Sequence, residues 1–154
     1  MSDYNFQTTW RATAGANKVW EVLADYGKWP NWWRGIRSVE VIRDGDKSGV
    51  GTVLRQRWHS KLPYTLVFDL EMLQIETERF LIGRASGDLE GTCKWILAPI
   101  DGVTTLHFEF DIRTSRWWMN LPIPFTSRIV RGSFETIMEW GREGLARTLC
   151  APVE

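Results

Sequence analysis

The sequence predicts an α+β fold in which a curved, seven-stranded antiparallel sheet wraps around a long C-terminal helix, with two short helices between strands 1 and 2. Three features predict it: an amphipathic stretch of about 24 residues near the C-terminus, alternation of apolar and polar residues through the middle of the chain, and a tight-turn signature between the last two strands. The 154 residues suffice for one core, so we expect one domain over residues 1–154.

The composition argues against several classes of function. Nineteen basic and 19 acidic residues leave no net charge, so electrostatics give no reason to expect nucleic-acid binding. No apolar run approaches the roughly 18 residues of a membrane span, and the N-terminus lacks a signal region. Cys93 and Cys150 are isolated and lack metal-ligand spacing. We therefore expect a cytoplasmic protein without a metal or another cofactor.

The first half of the chain supplies one strand, the two short helices and three further strands. Alternating apolar residues indicate a strand at residues 4–12, and helical spacing follows at 16–25. Pro30 disfavours the helical conformation in the residue before it, so we expect a short second helix or a turn there. Alternation with a period of two then indicates strands at residues 36–43, 50–59 and 64–73.

A two-residue turn at Asp101-Gly102 joins the last two predicted strands. This dipeptide is typical of a type I′ hairpin, whose geometry fixes which residues face each other. The pairs on the apolar face are Leu97 with Leu106, Trp95 with Phe108, Cys93 with Phe110, and Gly91 with Ile112. On the other face the same register pairs Lys94 with Glu109 and Glu90 with Arg113, which would stabilise an exposed surface.

The C-terminal stretch, residues 126–150, has the pattern of an amphipathic helix. One arc of its helical wheel carries Val130, Phe134, Ile137, Met138, Gly141, Leu145 and Leu149, and the opposite arc is charged. At 1.5 Å per residue the helix would be about 36 Å long, which is close to the width of a seven-stranded sheet. One helix can therefore cross the whole sheet.

Short motifs in this order of elements resemble those of a known superfamily. They are Val19-Trp20 and Asp25 followed by Trp29-Pro30-Asn31-Trp32, then Gly49-Val50-Gly51-Thr52 before the third strand, and Gly102-Val103-Thr104-Thr105 in the last turn. Over essentially the entire chain they are similar to the polyketide cyclase/dehydrase-type bacterial branch of the START/Bet v 1-like (SRPBCC) superfamily. The resemblance implies the helix-grip fold and specifies it far better than it specifies any activity.

A hydrophobic cavity between the sheet and the C-terminal helix is the central expectation for function. A helix about 10 to 12 Å wide covers only two or three strands, and ten tryptophans are awkward to fit into an ordinary small core. The small residues Gly132, Ser133, Gly141 and Gly144 lie on or near the inward arc of the helix, where the glycines either allow closer packing or leave room for a ligand. With the resemblance, these features favour a pocket for a lipid, an isoprenoid or an aromatic polyketide.

Alternation along the strands, together with the resemblance, gives the residues that would line this cavity. They are Trp10, Gln56, Trp58, Tyr64, Phe68, Arg84, Trp95, Phe108, Phe110, Phe134 and Met138. Gln56 and Tyr64 would orient a ligand by hydrogen bonds. Arg84 faces inward if the loop before the sixth strand has two residues, and outward if it has three.

The chain has no recognisable catalytic motif, and we predict no catalytic residue. Alternation places His59 and His107 on the polar face of the sheet, away from the cavity. Cyclases of the superfamily resembled here guide a reactive polyketide by cavity shape and a few polar residues. An aromatase/cyclase or dehydratase that uses Gln56, Tyr64 and Arg84 therefore stays open as the first alternative to simple binding.

Residues 117–125 between the last strand and the long helix are strongly apolar. We predict that Trp117, Trp118 and Phe125, with Trp33, lie at the entrance of the cavity as a lid. The alternatives are a peripheral membrane contact or a partner-protein patch. In the second alternative function, the cavity is vestigial and this segment makes the chain a protein-interaction module.

Overall fold

The computed structural model describes residues 3–60, 65–114 and 126–154. Its strands are β1 (Asp3–Ala12), β2 (Ile36–Arg43), β3 (Val53–Trp58), β4 (Leu66–Glu76), β5 (Phe80–Gly87), β6 (Leu89–Ile100) and β7 (Val103–Thr114). Its helices are α1 (Ala16–Ala24), α2 (Trp29–Trp32) and α3 (Thr126–Leu149), and a 3₁₀ turn at Tyr26–Lys28 precedes α2. The predicted α+β architecture is confirmed, including the two short helices between β1 and β2.

The strands form one antiparallel sheet in the order β1-β7-β6-β5-β4-β3-β2. The first two strands of the chain are therefore its two edges. Backbone hydrogen bonds of 2.8 and 2.9 Å between Arg11 and Glu154 continue the sheet beyond β1, where Val153 bridges to Ala12. The end of the chain thus covers part of one edge of the sheet.

The β6–β7 hairpin has the predicted turn and register. Asp101 and Gly102 both have positive φ angles, 51° and 78°, as a type I′ turn requires. Trp95 lies opposite Phe108, and Cys93 lies opposite Phe110. The charged pairs Lys94 with Glu109 and Glu90 with Arg113 face each other on the other side of the sheet.

Helix α3 buries the predicted apolar arc against the sheet and the short helices. Its buried side chains include Val130, Phe134, Ile137, Met138 and Leu145, whereas Ile129 on the opposite side is 54% exposed. Burial of this arc joins the helix to the sheet by the hydrophobic effect. Among the described helices, none is both long enough and apolar enough to span a membrane.

The glycines of α3 serve close packing at two of the three predicted positions. A Cβ atom at Gly141 would lie 2.4 Å from the indole of Trp33, and one at Gly144 would lie 1.8 Å from the carbonyl oxygen of Trp32. Both glycines therefore let α2 and the residue after it press against α3. Of the two alternatives for the inward glycines, closer packing applies at Gly141 and Gly144, because tryptophan and backbone atoms occupy the space beside them.

We predict that Gly144→Ala destabilises the protein by about 1 to 3 kcal/mol or more, because the added methyl group overlaps backbone atoms that no rotamer change can move. Chemical denaturation monitored by circular dichroism would measure the change. Gly132→Ala in the same helix is the matched control, since a Cβ atom there meets nothing within 4 Å. The control should be neutral or up to about 1 kcal/mol more stable. Equal stability of the two variants would contradict the packing role of Gly144.

Candidate functional site

The side chain of Trp33 lies at the centre of the core. It is 1% exposed, and its ring centroid lies 5.3 to 6.1 Å from those of five other indoles, namely Trp10, Trp29, Trp32, Trp58 and Trp95. Its ring N–H donates a 2.8 Å hydrogen bond to the carbonyl oxygen of Ile137 in α3. The indole of Trp33 is therefore part of the core rather than of a movable lid, because short helix α2 directs this residue inward.

Nine of the eleven predicted lining residues have buried side chains on the inner side of the sheet or of α3. The buried members of that set are Trp10, Gln56, Trp58, Phe68, Trp95, Phe108, Phe110, Phe134 and Met138. Their rings interlock: Phe134 stacks on Phe6 with a centroid distance of 4.1 Å, and Trp95 lies 4.5 Å from Phe108. Such close packing leaves little empty volume between the rings.

Two small spaces lie against the inner face of the sheet among the described residues, one beneath α3 and the other beneath Trp29 and Trp33. The larger, of about 40 Å³, is lined by Phe6, Trp58, Leu66, Leu89, Phe110, Ile112, Val130, Ser133, Phe134 and Ile137. The smaller, of about 10 Å³, lies among Trp29, Trp33, Gln56, Trp58, Phe68, Leu70, Cys93, Trp95, Phe108 and Phe110. Sites for drug-sized ligands have volumes of roughly 300 to 1,000 Å³. The expectation of a roomy, preformed cavity is therefore wrong for this part of the chain, where indole and phenyl rings fill the space instead.

Gln56 is the polar side chain that borders the smaller space. It is 1% exposed, and its carboxamide oxygen accepts a 2.8 Å hydrogen bond from the ring N–H of Trp58. This bond satisfies one group of a deeply buried amide, which would otherwise be unfavourable there. The NH₂ group of Gln56 is then the part of the side chain that an oxygen atom of a ligand would use.

Arg84 lies on the outer face of the sheet. The β5–β6 register places Gly83, not Arg84, opposite the inward-facing Cys93, which is the outward alternative of the sequence analysis. The Arg84 guanidinium forms a 2.9 Å ion pair with Glu71 and is 60% exposed. The prediction that Arg84 lines the cavity is therefore wrong. The enzymatic alternative in which Arg84 acts together with Gln56 and Tyr64 is wrong for the same reason.

The two histidines also face away from the interior. His107 contacts the hydroxyl of Thr9 at 2.9 Å on the exposed face, and Nδ1 of His59 lies 3.2 Å from the hydroxyl of Thr65. Within the described residues, histidine, cysteine and carboxylate groups do not gather in threes that could hold a metal ion. Cys93 is the titratable group beside the smaller space, and burial raises the pKa of its thiol to about 12. It remains a neutral thiol near pH 7 and is a poor nucleophile.

Several predicted site residues lie outside the described residues: Tyr64, Trp117, Trp118 and Phe125. Conversely, the residues that line the larger space include Leu89, Val130 and Ser133, which were not among the predicted site residues. A signal for Val130 was present, because it precedes Phe134 by one helical turn on the same arc. Ser133 also had a signal, because it lies with the small residues on or near the inward arc of the helix.

A family model described as polyketide cyclase / dehydrase and lipid transport matches residues 4–149. No curated protein gives a significant match to the sequence. The family model therefore covers nearly every element described above, from the start of β1 to the end of α3.

Solved structures with similar folds come from bacteria and plants. The aromatase/cyclase Zhui from Streptomyces sp. R1128 superposes with a TM-score of 0.77 at 17% identity, over 96% of this chain and 94% of that one. A START superfamily protein from Mycobacterium smegmatis gives 0.71 at 16% identity, over 94% and 93%. Major latex-like protein 151 from Panax ginseng gives 0.66 at 10% identity, over 96% and 98%. At such identities the likeness shows the fold alone, which is the helix-grip fold.

Because the interior is closely packed, we predict that the two cysteine thiols differ in reactivity. Native protein at pH 8 should react with a thiol reagent at the exposed Cys150 only, while Cys93 should react after unfolding. Because burial raises the Cys93 pKa from 9.0 to about 12, its contribution to stability should be full below pH 9 and should be lost as the pH rises towards 12. Mass spectrometry after timed labelling would measure the reactivity.

Cys150→Ser is the control for this labelling, and it should leave the native protein without a fast-reacting thiol. Fast modification of Cys93 in the folded variant would contradict the closed packing around β6.

Proposed function

This chain belongs to the polyketide cyclase / dehydrase and lipid transport family, and from that premise we propose that it binds a hydrophobic small molecule between the sheet and α3. The observation that carries the proposal is the space of about 40 Å³ between β1, β3, β4, β6, β7 and α3. Apart from Ser133 its lining is apolar, as a site for a hydrophobic ligand requires. The matching family and the structural neighbours are consistent with the binding of hydrophobic ligands in general.

Binding of a whole ligand requires side chains to move, because the space is much smaller than a lipid or a polyketide. Trp58 and Phe110 border both the larger and the smaller space, and their stacked rings lie 6.1 Å apart. Displacement of these two rings would join the spaces and expose the amide of Gln56 to the ligand. Side-chain changes of this kind are common on ligand binding, and the ligand must supply the free energy of the change.

The arrangement favours binding over the enzymatic alternative. The described part of the interior brings Gln56 and Cys93 close to the smaller space, but it excludes Arg84 and both histidines. General acid–base catalysis needs a positioned group whose pKa suits proton transfer, and a thiol with a pKa of about 12 does not provide one. We therefore propose a binding protein. The two free thiols support the reducing cytoplasm as its location.

Fluorescence titration with N-phenylnaphthylamine, a neutral hydrophobic probe, would test the proposal. The wild-type protein should bind it saturably, with one probe per chain. Val130→Phe should weaken binding by at least about tenfold, because the phenyl ring would occupy the larger space. Phe134→Ala should have the opposite effect and tighten binding, because it enlarges the same space.

Ile129→Phe is the matched control, since Ile129 lies on the solvent side of the same helix and is 54% exposed. It should leave the affinity unchanged. The proposal fails if the wild-type protein shows no saturable binding, or if Val130→Phe and Ile129→Phe bind the probe equally well while both remain folded.

A further inference from the structure

A groove of about 530 Å³ opens on the surface where the end of α2, the start of β2, the end of β3 and the middle of α3 meet. It is lined by Pro30, Trp33, Arg34, Gly35, Ile36, Arg37, His59, Ser60 and Trp140. Three of these side chains are arginine or histidine, and none of the lining residues is acidic. The groove is thus a concave, basic surface in a chain whose net charge is zero.

The guanidinium group of Arg34 is held against an aromatic ring. Its central carbon lies 4.3 Å from the ring centroid of Trp140, the geometry of a cation–π contact. The indole restricts the flat guanidinium while the N–H groups at its edge stay available for hydrogen bonds. Arg34 is therefore oriented before any ligand arrives, which lowers the entropic cost of binding one.

Within the described ranges, no carboxylate forms an ion pair with the arginines of the groove. Six other arginines form ion pairs with Asp or Glu: Arg43, Arg55, Arg57, Arg79, Arg84 and Arg142. Among the described residues, neither Arg34 nor Arg37 has such a partner. Two guanidinium groups without counter-ions in one groove are suited to bind an oxyanion, because each can donate paired hydrogen bonds to it.

The floor of the groove lies directly against the apolar space inside the protein. The hydroxyl of Ser60, which lines the groove, contacts the hydroxyl of Ser133, which lines the space of about 40 Å³. Gly35, with φ of +102°, lies close to the neighbouring side chains at the floor: a Cβ atom there would lie 3.1 Å from the Trp140 ring and 3.3 Å from Ile137, which lines the interior space. The contact between Ser60 and Ser133, together with Ile137, therefore lies between the basic groove and the hydrophobic interior.

We propose that the groove and the interior space form one site for an amphiphile with an acidic head, a carboxylate or a phosphate. The head binds Arg34 and Arg37, and the apolar part enters the interior past Ser60 and Ser133. This inference rests on the proposed function and adds the chemical class of the ligand. It also gives a role to the surface groove. Binding of a purely hydrophobic ligand in the interior would not use this groove.

A matched pair of probes separates this inference from the proposed function. N-phenylnaphthylamine is neutral, whereas anilinonaphthalene sulfonate joins the same ring system to an anion. Arg34→Gln/Arg37→Gln should weaken the sulfonate by at least about tenfold, because charge-assisted hydrogen bonds are lost, and should leave the neutral probe within about twofold of its wild-type affinity. Val130→Phe should weaken both probes, because both place their rings in the interior.

Arg43→Gln/Arg79→Gln is the control for net charge, since it removes two positive charges from surface ion pairs away from the groove. It should change neither affinity. If the groove variant binds the sulfonate as tightly as the wild type, the inference is overturned, while binding of the neutral probe still supports the proposed function. If neither probe binds the wild-type protein, the proposed function fails first.

Competition against the sulfonate identifies the source of the acidic head. Displacement by decanoate or dodecyl phosphate at concentrations where acetate and inorganic phosphate have no effect supports an amphiphile. Displacement by inorganic phosphate alone, with no additional effect of a tail, would mean that the groove binds a free anion and would overturn the proposed link to the interior.

Discussion

The close approach of Trp33 to α3 is the contact on which the rest of the structure depends. The indole can lie against the helix because position 141 is glycine, and its ring N–H is satisfied by the carbonyl oxygen of Ile137. A buried indole without such a partner would be unfavourable, so the hydrogen bond and the close packing support each other. Since Trp33 also contacts tryptophans of β1, β3 and β6, this one side chain connects the sheet to the helix.

Two spaces of unequal size lie on either side of the rings of Trp58 and Phe110, which border both of them. Near Trp33 the indoles of Trp29, Trp58 and Trp95 leave a space of about 10 Å³. Towards Phe6 and Leu89 the lining consists of smaller apolar groups, and the space is about 40 Å³. The tryptophans thus pack closely around the smaller space. Around the larger space, side chains can move to admit a ligand with less loss of van der Waals contact.

The arginine side chains differ in the partners that surround them. Four arginines of the sheet, Arg43, Arg55, Arg57 and Arg84, form ion pairs with carboxylates, as Arg55 does with Asp69 at 2.9 Å. Exposed pairs of this kind add little stability and mainly keep the surface soluble. The groove beside Trp140 differs because its arginines lack counter-ions among the described residues, and it adjoins the hydrophobic interior through Ser60. Basic charge beside an apolar space is an arrangement that suits a ligand with two chemically distinct ends.

The sequence by itself determined the elements and their faces. Asp101-Gly102 fixed the β6–β7 register because turn geometry is local, and alternation placed Gln56, Trp58 and Phe108 inside and His107 outside because successive side chains of a strand point to opposite faces. Only the tertiary structure decided how much space remains, whether Trp33 lies at the rim or at the centre, and that Gly141 serves packing. Those outcomes depend on distances of a few ångströms between elements far apart in the chain. Alternation reports the face on which a side chain lies, but it does not report how closely the opposite element approaches it.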